Sequence, residues 1–269
     1  MPSFTHAGRR IAYREYGEGP RPIVLVHGLL MDGRMFTKLG PALAAGGHHV
    51  ITVDVLGHGE SDQPHDMTVY SMTQFGGDVI AALDHLGLEQ AVVGGTSLGA
   101  NVALEVAVAA PERVRALVVE MPVLENGLAG AAVLFVPLAL ALRVTGAAMR
   151  LISTMTRLIP RTHWLLDTLI DFVRRDPAAS LAVLDGITFG RVAPPISDRR
   201  RLRQPVLVVG HKRDPIHPFS DADVLARELP QARIVQAHSL TEWRIAPARL
   251  DGELLAFLDE VWATPRPIP

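Results

Sequence analysis

Apolar and polar positions fall in blocks along this chain. Ile23-Val24-Leu25-Val26, Val50-Ile51-Thr52-Val53, Ala91-Val92-Val93 and the stretches 114–119 and 206–209 are short apolar runs, and Arg233-Ile234-Val235 is a shorter one. Continuous runs of this kind predict strands covered on both faces, as in a parallel sheet. Between them a helical period predicts helices at about 33–45, 72–86, 100–109, 221–229 and 249–261. Strand and helix alternate, so the expected class is α/β, with a mostly parallel central sheet flanked by helices.

The alternation breaks over residues 122–203, where only helical patterns occur. Trp164, Leu165, Leu169, Ile170 and Val173 share one face, with Asp167, Asp171 and Arg174 opposite. Asp176-Pro177 reads as a helix start, a cap followed by a first-turn proline. The chain is therefore expected to have a core of residues 1–121 and 204–269, with a helical cap, 122–203, closing over the sheet edge. Few polar residues lie in 128–159, so a pocket roofed by this cap is expected to be apolar. The uncharged stretch 127–142 is interrupted by Pro137 and falls short of the ~18 residues of a membrane span, so no span is expected.

Composition narrows the chemistry. Apolar residues make up 48% and charged residues 20%, and the net charge is −2 without a basic face, which argues against a nucleic-acid partner. With no cysteine, disulfides, thiolate metal sites and a cysteine nucleophile are excluded. The N-terminus lacks the apolar stretch of a secretory signal, so a cytoplasmic location is expected. Gly57-His58-Gly59-Glu60-Ser61 lacks the lysine of a phosphate loop, and no helix carries a paired-histidine metal motif. No cofactor or metal is expected. Arg199-Arg200-Arg201-Leu202-Arg203 reads as a solvated surface run.

Gly95-Thr96-Ser97-Leu98-Gly99 carries the chemistry. A strand run feeds into it and a helical run leaves it, so Ser97 sits at a tight corner with helix N–H groups nearby, and glycines flank it where a Cβ would clash. A serine nucleophile needs a base. His238 directly follows the last strand run and is the preferred candidate among eleven histidines; His217 ranks below it because it lies only three residues from Asp214. His48, His49, His65 and His85 read as surface residues. The base needs a carboxylate, for which Asp214, after the 206–209 strand, is preferred and Glu120, ending the 114–119 strand, is the alternative. Acyl transfer also needs two N–H donors for the oxyanion, expected from Leu98 and from Leu29 in the His27-Gly28-Leu29 turn. His211, Asp214 and His217 also have a spacing that could suggest metal, but a loop holding the triad acid explains Asp214 better.

The order Ser97, Asp214, His238, together with His27-Gly28, Asp54-Val55-Leu56-Gly57-His58-Gly59-Glu60-Ser61, Gly210-His211-Lys212-Arg213-Asp214 with Pro218, and Ala237-His238, resembles the α/β-hydrolase fold superfamily over about residues 10–121 and 204–262. The resemblance implies a nucleophile Ser97, base His238, acid Asp214 and an oxyanion hole at Leu29 and Leu98. It departs in having Ala237 where glycine often precedes the histidine, and Thr96 where histidine often precedes the serine. A serine at the elbow argues against the family's epoxide hydrolases and haloalkane dehalogenases, which use aspartate there. The implied activity is hydrolysis of a small to medium apolar ester. Carbon–carbon bond hydrolysis, perhydrolysis of the haloperoxidase type, or a ligand-binding receptor with little turnover are the alternatives.

Overall fold

The computed structural model describes residues 1–156, 170–171, 173–212 and 214–264. Eight strands form one sheet in the order β1-β2-β4-β3-β5-β6-β7-β8. They are β1 (Ser3–His6), β2 (Arg9–Tyr16), β3 (Arg21–Val26), β4 (His48–Asp54), β5 (Ala91–Thr96), β6 (Val114–Glu120), β7 (Val206–His211) and β8 (Ala232–Ala237). β1 and β2 pair antiparallel, as do β2 and β4, and every other neighbouring pair is parallel. The β1–β2 hairpin is an addition to the sequence reading. Its turn, Ala7-Gly8, has φ of 48° and 74°, the left-handed pair that matches strand twist in a two-residue hairpin.

The longer apolar runs are continuous because the central strands β3 to β7 bury both of their faces. Val24 and Val26 of β3 face one core layer, with Phe75 and Val79 of α2 (Met72–His85) and Val102 and Val106 of α3 (Leu98–Ala109). Ile23 and Leu25 face the other, with Leu43 of α1 (Leu39–Ala45) and Leu254 and Leu258 of α9 (Ala248–Ala263). Period-two alternation thus divides one strand between two cores. His48, read as a surface residue, is buried, and its Nδ1–H donates to the Arg21 carbonyl at 3.3 Å.

Between β6 and β7 the described residues form helices and no strand: α4 (Leu128–Thr156), α5 (Pro177–Thr188) and α6 (Ile196–Arg199). Asp176 caps α5 by accepting the Ala178 N–H, with Pro177 in the first turn. The one-sided pattern through Trp164, Leu165, Asp167 and Leu169 lies outside the described residues. Pro137 does not end its helix. α4 runs through it, so the apolar stretch is longer than the sequence suggested: Leu128–Gly146 has 19 residues and a mean hydropathy of 2.0, enough by length and composition to cross a membrane, with 6% of it buried. Arg199 departs from the solvated reading. It is 1% exposed and donates to Glu228, Glu125 and the Pro194 carbonyl, while its neighbours Arg200 and Arg201 are exposed. Two further helices are α7 (Phe219–Glu228) after β7 and α8 (Glu242–Ile245) after β8.

Candidate active site

β5 delivers the chain to Ser97 and α3 takes it away at Leu98. Ser97 itself has φ 56° and ψ −110°, a conformation that costs a non-glycine residue of order 1–3 kcal/mol and persists only where the surroundings impose it. They do so here by close approach. A Cβ on Gly99 would lie 1.9 Å from the Val26 carbonyl oxygen, and one on Gly95 would lie 2.3 Å from the same atom. The Ser97 N–H donates to the Glu120 carbonyl at 2.8 Å, which ties the corner to β6.

The histidine that meets Ser97 is His217. Its Nε2 lies 2.8 Å from Ser97 Oγ, and its Nδ1 lies 2.8 Å from Asp214 Oδ2. An ionised carboxylate only accepts, so Nδ1 carries the proton and Nε2 presents a lone pair to the serine hydroxyl. Burial pushes the Asp214 carboxyl up, but the hydrogen bonds from the His217 ring, the His217 N–H and the Ile216 N–H outweigh it and hold the group below its usual range.

This corrects the assignment of His238 as the base. The His238 side chain is 74% exposed and faces Glu242, with Nδ1 3.7 Å from Oε1, and its N–H donates to the same carboxylate. The argument against His217 rested on its spacing from Asp214. Asp214 Oδ1 accepts the N–H groups of Ile216 and His217 at 2.8 and 3.0 Å, curling the loop until residue 217 faces back on residue 214. A separation of three therefore favours the pair. Chain order could not decide the matter, since Ser97, Asp214, His217 runs in the same sense.

Glu120 is not beside His217. Its carboxylate accepts from Arg244 Nη2 at 2.7 Å and from the Thr96 hydroxyl, and lies 3.4 Å from His211 Nε2. Burial raises its pKa, but Arg244, then His211 and Thr96, bring it down to about 2. Arg244 also donates to Thr96 Oγ1 at 3.0 Å. It comes from α8, in the segment after β8, and the sequence reading passed over it. His211 Nδ1–H donates to the Ser239 carbonyl at 2.9 Å, fixing that segment a second time.

Leu29 and Leu98 line the same cavity as Ser97. Leu98 is the first residue of α3, where N–H groups have no intrahelical partner. Beside them His27 is fully buried and held neutral, chiefly by burial. Its Nε2 accepts the Val55 N–H and its Nδ1–H donates to the Gly28 carbonyl, which fixes the turn. At Gly28 a Cβ would meet Met31 Sδ at 3.2 Å and the Thr96 carbonyl oxygen at 3.7 Å, so the backbone approach there is ordinary contact.

The cavity has a volume of about 250 Å³. α4 contributes Leu128, Ala131 and Phe135, and α5 contributes Leu184 and Ile187, with Ile216 beside the histidine. Asn101 also lines it, but its amide is engaged: Nδ2 donates to the carbonyls of Val123 and Val192, and Oδ1 accepts from the Val123 N–H. Among the described residues no charged side chain lines the cavity. Among the described residues no group of three or more His, Cys, Asp or Glu side chains is placed to hold a metal ion.

A family model described as the alpha/beta hydrolase fold matches residues 21–146. The chain is 37% identical over 110 residues to bifunctional epoxide hydrolase 2 of Sus scrofa, a match covering 41% of this chain and 20% of that protein. It is 28% identical over 284 residues to RutD of Azorhizobium caulinodans, described as a carbamate hydrolase, covering 96% of this chain and 98% of that one. The chain thus spans about a fifth of the first protein and nearly all of the second. Among solved structures, the enol-lactonase from Burkholderia xenovorans LB400 superposes with a TM-score of 0.78 at 22% identity, covering 96% of this chain and all of that one. The sheet order, the strand–Ser97–helix corner and these likenesses together show that the chain has the alpha/beta hydrolase fold.

Proposed function

We propose that this protein is a serine hydrolase of small to medium apolar carboxylic esters, acting through Ser97, His217 and Asp214. The observation that carries the reading is the relay in which His217 Nε2 stands 2.8 Å from Ser97 Oγ while Asp214 holds Nδ1 at 2.8 Å. His217 takes the Ser97 proton as Oγ attacks the ester carbonyl, and the negative charge gathers on the carbonyl oxygen between the Leu29 and Leu98 N–H groups. The imidazolium, stabilised by ionised Asp214, then protonates the departing alkoxide. Water enters, gives a proton to His217 and attacks the acyl-serine; the tetrahedral intermediate collapses to the acid as the imidazolium returns that proton to the departing Ser97 Oγ. The apolar cavity under α4 and α5 takes the acyl chain, with the 122–203 segment acting as the cap. Among the described residues its lining offers no cation to a second carboxylate on the substrate, which favours uncharged acyl groups.

The test pairs fluorophosphonate labelling with turnover of p-nitrophenyl esters. Ser97→Ala and His217→Ala are expected to abolish both, with labelling mapped to Ser97 in the parent, while His238→Ala keeps at least half of kcat. Loss of activity in His238→Ala with retention in His217→Ala would return the base to the segment after β8.

A further inference from the structure

The loop that carries His217 is supported from one side by the insertion. α4 begins directly against it. At Gly130 in the first turn of α4, a Cβ would lie 2.3 Å from the Pro215 carbonyl oxygen and 3.3 Å from Ile216 Cα. Backbone rests on backbone here, so no side chain can move aside to relieve the clash. One turn earlier a Cβ on Gly127 would lie 2.8 Å from Asp221 Oδ2 and 3.2 Å from the Ile216 carbonyl oxygen. The Asp221 side chain, in the first turn of α7, is fully buried and accepts the N–H groups of Leu124 and Gly127 on Oδ2, at 2.7 and 2.8 Å, and that of Asn126 on Oδ1 at 3.0 Å. The carboxylate therefore fastens the approach to α4 onto the helix that follows the histidine loop. Within the loop, Asp214 satisfies the N–H groups of Ile216 and His217, so the turn is internally rigid and moves as a unit.

We propose that Gly130 is a positioning residue for His217: the missing side chain lets α4 seat on the Pro215 carbonyl, and this seat, fastened by Asp221, sets where the imidazole meets Ser97. The inference rests on the hydrolase reading above and adds a consequence to it. Leu128, Ala131 and Phe135 of the same helix line the cavity, and so does Ile216, the residue between the seat and the base. Acyl groups that fill the cavity press on the helix that positions the histidine. Their fit is thereby read in kcat as well as in KM.

Three variants of the full chain test this, Gly130→Ala, Asp221→Asn and, as a control, Gly252→Ala, where a Cβ meets nothing within 4 Å. The readouts are the rate of fluorophosphonate labelling of Ser97, and kcat and KM on p-nitrophenyl butyrate. Gly130→Ala is expected to lower the labelling rate and kcat tenfold or more with KM within threefold of the parent. Asp221→Asn adds no volume but removes one of two accepting oxygens, and is expected to move kcat in the same direction by a smaller factor. The control stays within twofold. If Gly130→Ala does not fold, Asp221→Asn decides alone. Labelling and kcat within twofold of the parent in the folded variants, or a change confined to KM, overturns the inference. A parent protein that fluorophosphonate does not label would instead overturn the hydrolase reading.

Discussion

Arg244→Met probes the buried charge behind the nucleophile, and its cost follows from the geometry. Glu120 is 3% exposed and accepts from Arg244 and Thr96. Burial alone would raise its pKa; Arg244 is the largest opposing influence, and the group settles at about 2 instead of its ordinary 4.5. At about 1.4 kcal/mol per pH unit, that displacement corresponds to roughly 3 kcal/mol of stability at neutral pH. Because the folded-state pKa is depressed, this contribution is fully present above pH 4.5 and is lost as pH falls towards 2. Removing the guanidinium leaves a buried carboxylate without its cation, a change that costs about 3–5 kcal/mol. Burial then lifts the Glu120 pKa, so the variant loses most at pH 7 and least in acid. Urea unfolding at pH 7 and pH 4 reads the difference, with the gap between parent and variant expected to shrink by a third or more at pH 4. Adding Glu120→Gln should recover much of the loss at pH 7, since the unpaired charge is gone. A variant within about 0.5 kcal/mol of the parent, or a gap of equal size at both pH values, refutes the reasoning.

Two further outcomes test the site directly. Asp214→Asn keeps the shape of the loop but offers its amide to His217 and favours the wrong tautomer, so kcat should fall by about 10³–10⁴ in steady-state assays with little change in thermal stability. Ala132→Phe places a ring in the cavity shared with Ser97; kcat/KM for p-nitrophenyl octanoate should fall at least tenfold while that for the acetate stays within threefold, and an equal fall for both would place the acyl chain elsewhere.

The parallel part of the sheet was legible because its strands bury both faces and so read as unbroken apolar runs. The β1–β2 hairpin was not, since Arg9, Arg10, Arg14 and Glu15 interrupt its apolar positions and the turn signal is a weak Ala7-Gly8. Pro137 misleads for a physical reason: a proline removes one hydrogen bond and disfavours a helix, but the leucine and alanine run that follows, 138–142, is made of strong helix formers, and α4 continues through it. Arg199 was hidden among its neighbours because a charge run carries no sign of which member turns inward. Ser97 was legible through its glycines, whose absent side chains are required by the approach of Val26. The base was not, because spacing in sequence was taken for distance in space. Asp214-Pro215-Ile216-His217-Pro218 did hold a clue, since a carboxylate able to cap its own turn, braced by two prolines, is suited to bring residue 217 back onto residue 214.

With His217 as the proposed base, in the loop after β7, the segment after β8 has a different part to play. That segment reaches the rear of the nucleophile's corner through Arg244, whose guanidinium contacts Thr96 and Glu120, while the backbone carbonyl of Glu120 holds the Ser97 N–H. The Arg244–Glu120 pair and the bond from His211 to the Ser239 carbonyl hold this segment where it is, with the His238 side chain exposed. The exposed placement of His238 and the buried placement of Arg244 are therefore two sides of one arrangement. The last loop braces the Ser97 corner from behind, and the loop before it supplies both the histidine that meets Ser97 and the carboxylate that orients it. Asp214 and His217, in a single turn, are fixed relative to each other by the three hydrogen bonds that Asp214 accepts, and only their joint placement against Ser97 is left to the rest of the fold.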